Sequence, residues 1–169
     1  MGKLDIINKV LNPTYKDNSN EMKEHSEEVV MDIKIVNRNN LKYALFRFCN
    51  LVYKADHFAR VEGLQKMCDY FLFVEDRNIL YVFIVELKST SGSSALKQLN
   101  AGECFVNYII NSANRIGEGI DIADCKIRKI KAKKHVKRRI KCQVEFDKDG
   151  YCGDYCFSQF DIIYMLDRV

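Results

Sequence analysis

Asp69, Glu86 and Lys88 are the residues of this sequence whose types and spacing best suit chemistry. Residues 82–90, VFIVELKST, form a nearly unbroken apolar run that ends in Glu86 and Lys88, two charges two positions apart. On a strand, that spacing sends both side chains to one face. A strand buried on both faces reads as a continuous run of Val, Ile and Phe. An ionised carboxylate at its end is costly unless something positive neutralises it. The candidates are Lys88 itself or a metal ion.

The run 68–75, CDYFLFVE, precedes 79–88, ILYVFIVELK, across a short polar break. Both are rich in aromatic and β-branched residues and predict paired strands joined as a hairpin. An even-numbered loop sets Asp69 opposite either Ile84 or Glu86. In both registers Asp69, Glu86 and Lys88 share a face, whereas an odd loop without a bulge separates them. Facing carboxylates roughly 4.5 to 5.5 Å apart repel, and a divalent cation holds both ionised. Hard oxygen ligands suit Mg²⁺, with Mn²⁺ as a substitute. Lys88 would orient or help deprotonate an attacking water and stabilise negative charge growing on a phosphoryl group. Glu21-Met22-Lys23 repeats the spacing as an internal control. It lies in a polar segment expected to be helical, without an apolar strand before it.

In this context, Asp69, the strand ending in Glu86-Leu87-Lys88, and a helix beginning near Ser93 and carrying Gln98 resemble the PD-(D/E)xK, or restriction-endonuclease-like, nuclease superfamily. The resemblance covers residues 57–133. It implies an α/β fold with an αβββαβ core, a mixed central sheet flanked by helices, and FARVEG (58–63) or the segment before it as first strand. It also implies a Mg²⁺-dependent phosphodiesterase, an endonuclease acting on DNA in preference to RNA. Asp69 and Glu86 would be metal ligands, with the Leu87 carbonyl as a further one. Lys88 would be catalytic, and Gln98 would position the water. Cys68 stands where the family has a proline. For the upstream acid that some members carry, Glu24, Glu27, Glu28 and Glu62 compete, and Glu62, just before a glycine, is favoured. The competing class is a non-catalytic nucleic-acid-binding or assembly subunit that retains the fold.

The elements that must position these residues are less sharply written. Residues 4–11 read as a short apolar helix. Residues 12–20 form a polar break holding the single proline, so that 1–20 reads as a short N-terminal extension of a single domain spanning 1–169. Between 21 and 53 the apolar residues Val29, Val30, Ile33, then Leu41, Ala44, Leu45, Phe48, Leu51 and Val52 recur at three and four, predicting two helices interrupted at NRNN. Residues 93–110 predict a core-packed helix opened by serine caps. Residues 124–134 and 136–146 alternate apolar with basic, predicting two strands or a long hairpin with a basic face. KDGYCGD (148–154) reads as a turn, and 157–167 as a terminal helix or strand.

A chain of 169 residues with 47% hydrophobic content can bury one core without disulfides. The formal charge of +4 is unevenly distributed. Residues 126–141 hold ten basic residues and no acid, leaving 17 basic against 23 acidic residues elsewhere, a net of −6. Lys126, Arg128, Lys129, Lys131, Lys133, Lys134, Lys137, Arg138, Arg139 and Lys141 are therefore the expected nucleic-acid contacts. Seven scattered cysteines suit a reducing, cytoplasmic setting. The spacing of Cys142, Cys152 and Cys156 with His135 matches no standard zinc site. No apolar run approaches the roughly 20 residues needed to cross a bilayer, so no membrane partner is expected. The absence of a Gly-rich phosphate loop argues against ATP use. The small size leaves little room for a separate sequence-reading domain, which favours low specificity, a homodimer or a targeting partner protein.

Overall fold

The computed structural model describes residues 1–25, 30–48, 66–88, 94–133, 144–156 and 158–169. In chain order these form α1 (Lys3–Val10), β1 (Lys16–Asp17), β2 (Glu21–His25), β3 (Val30–Val36), β4 (Lys42–Arg47), β5 (Tyr70–Asp76), β6 (Ile79–Lys88), α2 (Ala95–Arg115), β7 (Cys125–Lys133), β8 (Tyr151–Cys156), β9 (Gln159–Asp161) and α3 (Ile162–Leu166). The architecture is mixed α/β. A six-stranded sheet has the order β1-β4-β5-β6-β7-β8, and a smaller one the order β2-β3-β9.

The β5–β6 hairpin is the centre of the large sheet. Arg77 and Asn78 both take positive φ, 47° and 65°, so the chain reverses in two residues between the paired Asp76 and Ile79. Positive φ at both central positions is the type I′ arrangement, whose twist matches that of the flanking strands. Both strands are buried along most of their length because each face is covered. On one side Phe71, Phe73, Val82 and Ile84 pack against α1 and α2. On the other, Tyr70, Leu72, Phe83 and Val85 pack against Met22, Ile33 and Ile35 of the small sheet and Ile162 and Met165 of α3. Helix α2 then carries the chain across the sheet so that β7 lies parallel to β6, as a helical crossover of this length permits.

Where helices are expected between residues 21 and 53, the described residues form strands instead, and Val29, Leu51 and Val52 lie outside the described residues. Met31, Ile33 and Ile35 are buried and alternate with Asp32 and Lys34, a period of two that the wider three-and-four spacing obscures. In β4, Ala44, Leu45 and Phe46 are buried in succession because the strand is covered on both faces, and so short an apolar run looks alike in a helix and a strand. The control segment Glu21-Met22-Lys23 is likewise in a strand, β2, not a helix. FARVEG and residues 134–143 lie outside the described residues, and 144–147 carry no strand.

The first helix is built into the core. Leu4, Ile6 and Ile7 are buried. The Glu75 carboxylate of β5 accepts the Lys3 N–H at 2.9 Å and the Leu4 N–H at 3.4 Å, satisfying amides that a helix start leaves open. A Cβ on Gly2 would come within 2.6 Å of Glu75 Oε2. Ser94 occupies the N-cap of α2 but makes no side-chain cap hydrogen bond, so the predicted serine cap is not formed there. The terminal segment is both a strand and a helix, β9 followed by α3.

Candidate active site

The hairpin register decides where the charged residues meet. Tyr70 pairs with Val85, and one step further along both strands Asp69 stands opposite Glu86. Asp69 Oδ2 accepts the Leu87 N–H at 2.8 Å. Period-two alternation places Glu86, two residues after Ile84, on the helix-covered side of the sheet, and Asp69, at the bend just before β5, meets it at the end of the hairpin. Lys88 follows on that side and its Nζ pairs with Glu86 Oε1. Glu86 is 1% exposed, and its Oε2 has no hydrogen-bond partner among the described residues.

Burial dominates the electrostatics. The Glu86 carboxyl is pushed up to about 7, first by desolvation and then by the Asp69 charge, while Lys88 opposes both. Asp69 is raised by burial and held down by the Leu87 N–H, then by Lys88 and Arg47. The neighbouring Cys68 thiol is raised well above its ordinary value by burial and by the Glu86 and Asp69 charges, so it is a poor nucleophile.

Helix α2 closes the site from above. Gln98 Nε2 donates to the Met67 carbonyl at 3.3 Å, and Ser94 Oγ lies 3.3 Å from Gln98 Oε1. Gln98 thus ties the first turn of the helix to the strand entrance two residues before Asp69. The closeness depends on Gly102, where a Cβ would meet Cys68 Sγ and Ile84 Cγ2, each at 2.8 Å.

No protein-family model, curated protein or solved structure matches this chain. The chemistry is therefore read from the donor set itself. Among the described residues, no group of three or more His, Cys, Asp and Glu side chains is arranged to hold a metal ion. Two facing carboxylates remain, one with a buried oxygen that lacks a hydrogen bond. That suits a cation such as Mg²⁺, which keeps several waters and takes one or two protein carboxylates.

The basic residues of β7 do not form one face. Lys126 and Arg128 turn to the side of the small sheet, where their cationic groups lie over the rings of Tyr81 (5.8 Å) and Phe146 (5.5 Å). Lys129 turns to the helix side and is 7% exposed. Its Nζ pairs with Glu103 of α2 at 2.7 Å and bonds Asn100 Oδ1 at 3.1 Å, so it serves the interior. Lys131 and Lys133 are the register partners of Glu86 and Lys88 and lie on the side of the candidate site. Strand alternation, read through the β6 pairing, was the signal that separates these sets. Lys134, Lys137, Arg138, Arg139 and Lys141 lie outside the described residues.

Of the competing upstream acids, Glu24 comes close enough to feel the site. Its carboxyl is raised by burial and then by the Asp69 charge, and lowered by Lys88. Glu27, Glu28 and Glu62 lie outside the described residues. Arg47 and Tyr70, which border the site, carry no motif that would single them out in the sequence.

Proposed function

We propose that the protein is a metal-dependent nuclease that hydrolyses phosphodiester bonds, with DNA as the preferred substrate. The observation that carries this reading is the facing pair Asp69 and Glu86 at the end of a buried hairpin, with an unbonded carboxylate oxygen and Lys88 beside it. The run β4, β5, β6, α2, β7, with β6 and β7 parallel, matches the βββαβ part of the order that the resemblance implies and so supports it, with β1 to β3 standing between α1 and that run.

Asp69 and Glu86 would hold Mg²⁺ or Mn²⁺, with the Leu87 carbonyl as a further ligand. A cation there supplies Lewis acidity and lowers the pKa of water. Lys88, kept at the site by its pairing with Glu86, stabilises negative charge on the phosphoryl oxygens as water adds to phosphorus. The entering water gives up a proton to solvent, the P–O bond opposite the entering oxygen breaks, and the departing oxygen takes up a proton from solvent. Gln98 acts as a positioning residue by holding α2 to the strand entrance. Lys131 and Lys133 lie where a flanking phosphate would run.

The test is cleavage of supercoiled plasmid, linear duplex, single-stranded DNA and RNA with Mg²⁺, Mn²⁺ or EDTA, beside Glu86→Ala and Lys88→Ala. Products that need the metal and disappear in both variants are expected. Cleavage that survives EDTA or both substitutions would overturn the assignment. Folded protein that binds DNA but cuts nothing would favour the non-catalytic binding subunit.

A further inference from the structure

One side of β7 carries cations that the candidate site does not use. Lys126 and Arg128 lie two positions apart and so share a face, the one turned toward the small sheet. The Lys126 ammonium stands 5.8 Å from the centre of the Tyr81 ring, and the Arg128 guanidinium 5.5 Å from that of Phe146. A third pair lies beside them. The Arg168 guanidinium is 5.1 Å from the centre of the Tyr164 ring, and the Tyr164 hydroxyl accepts the N–H of Val144, two residues before Phe146, at 3.5 Å. All three rings pack on the core between the sheets, so the core fixes each ring and the ring fixes the place of its cation.

These cations have no anionic partner. Among the described residues, none of Lys126, Arg128 and Arg168 pairs with a carboxylate. Lys126 and Arg168 are exposed, and Arg128 is half-buried. Arg128 Nη1 donates to the Ile127 carbonyl at 2.8 Å, whereas its Nε is enclosed and makes no hydrogen bond among the described residues. Burial also pulls this guanidinium below the ordinary arginine value. A cation partly withdrawn from water gains more from an arriving anion than one in open solvent.

Position and residue type both point to a protein segment as the occupant. Strands β5 and β6 are buried on both faces, so the thickness of the sheet separates this cluster from Glu86 and Lys88 on the helix side. Along β7, Lys126 and Arg128 are the register partners of Tyr81 and Phe83, on the hairpin-turn side of Glu86, and a strand followed along Lys131 and Lys133 leads away from them. Arginine and aromatic rings carry much of the energy of protein–protein contacts, and a carboxylate matches the guanidinium fork. We propose that the pairs Lys126–Tyr81, Arg128–Phe146 and Arg168–Tyr164 form a docking surface for an acidic segment of a partner protein. Its carboxylates meet the cations, and its apolar side chains lie on the rings. The surface stands or falls independently of the reading of Asp69 and Glu86.

Fluorescence anisotropy tests it with a labelled peptide of Glu, Leu and Ser, beside a counterpart carrying Gln for every Glu. The acidic peptide is expected to bind, and the counterpart to bind at least about 10-fold more weakly. Arg128→Ala should weaken the acidic peptide about 10-fold, the equivalent of one charge-assisted hydrogen bond. Arg128→Lys, which keeps the charge and loses the fork, should fall between that variant and the wild type. Lys126→Ala and Arg168→Ala, at exposed positions, should each cost about 2- to 5-fold. Lys131→Ala and Lys133→Ala should bind like the wild type, and excess duplex DNA should leave the peptide bound. Should Arg128→Ala fail to fold, Arg128→Lys, Lys126→Ala and Arg168→Ala still decide. No binding at millimolar peptide, or losses in Lys131→Ala equal to those in Lys126→Ala and Arg128→Lys, would overturn the docking surface. Displacement by duplex DNA would overturn it equally and give the face to nucleic acid.

Discussion

Asp69 faces Glu86 across the open end of the β5–β6 hairpin, one position beyond the Tyr70–Val85 pair, and reaches over to accept the Leu87 N–H at 2.8 Å. That bond gives Asp69 a partner within the sheet. Glu86 has Lys88 on one oxygen only and is otherwise enclosed. The two carboxylates are therefore unequal: Asp69 is anchored, and Glu86 carries most of the cost of desolvation. The predictions below follow from that inequality and from the packing that produces it.

Glu86 makes the metal-free protein less stable as pH rises. Its carboxyl is raised from 4.5 to about 7, so between these values the folded protein binds the proton more tightly than the unfolded chain does. By linkage, stability is then highest below about 4.5 and falls as pH climbs through about 7, by about 3 kcal/mol from this group. Glu86→Gln should flatten that slope and raise stability at pH 8. Urea unfolding in EDTA at pH 5 and pH 8 measures it; a slope that Glu86→Gln leaves unchanged would refute the assignment.

Added Mn²⁺ should reverse the trend. A cation binds the ionised form of Glu86 and competes with its proton, so binding tightens as pH rises and releases protons. The expected result is a Tm increase with Mn²⁺ that is larger at pH 8 than at pH 5.5 and absent in Asp69→Asn. At 100 times Kd the gain approaches about 2.7 kcal/mol. An equal Tm increase in Asp69→Asn would place the cation elsewhere.

The hairpin was legible in the sequence because strand burial and the alternation of charges point the same way, but its register is decided between two even-loop alternatives only once the strands are paired. The strands between residues 21 and 47 were not legible. Apolar residues in β3 and β4 satisfy both a period of two and a loose spacing of three and four, and their burial depends on a second sheet whose third strand, β9, lies more than a hundred residues away in the sequence. For the same reason Glu24 could be named as one candidate among several but not chosen. Its neighbour Lys23 meets the hydroxyl of Tyr70, the residue after Asp69, in a contact between strands of different sheets. The basic segment was legible as charge, but its division between two faces emerges only once β7 is paired with β6.

That division predicts unequal effects on DNA binding. Lys131→Ala and Lys133→Ala, on the side of Glu86 and Lys88, should each lower the slope of log affinity against log salt by about 0.9 if each side chain neutralises one phosphate. Lys126→Ala and Arg128→Ala, on the opposite side, should leave that slope nearly unchanged. Lys129→Met should destabilise the fold without altering the slope, because it leaves Glu103 without its partner across the α2–β7 contact. Fluorescence anisotropy over a salt series checks all five; equal slope changes from both faces would contradict the arrangement.

Gly102→Ala tests whether the close approach of α2 matters to the site or only to the fold. Alanine is the better helix former by about 1 kcal/mol, so a loosely packed position would gain stability. Here the added Cβ would meet Cys68 Sγ and Ile84 Cγ2 at 2.8 Å, both on the enclosed side of the sheet, and neither atom can retreat without moving a strand. Overpacking of this kind costs about 1 to 3 kcal/mol, so a net loss is expected in urea unfolding. A displaced helix would also stretch the 3.3 Å bond from Gln98 to the Met67 carbonyl, one turn away on the same helix. Gly102→Ala is then expected to lose Mn²⁺ affinity, and Gln98→Ala should show the same loss while costing less stability. Full Mn²⁺ affinity in a destabilised Gly102→Ala protein would show that the packing supports the fold and leaves the site untouched.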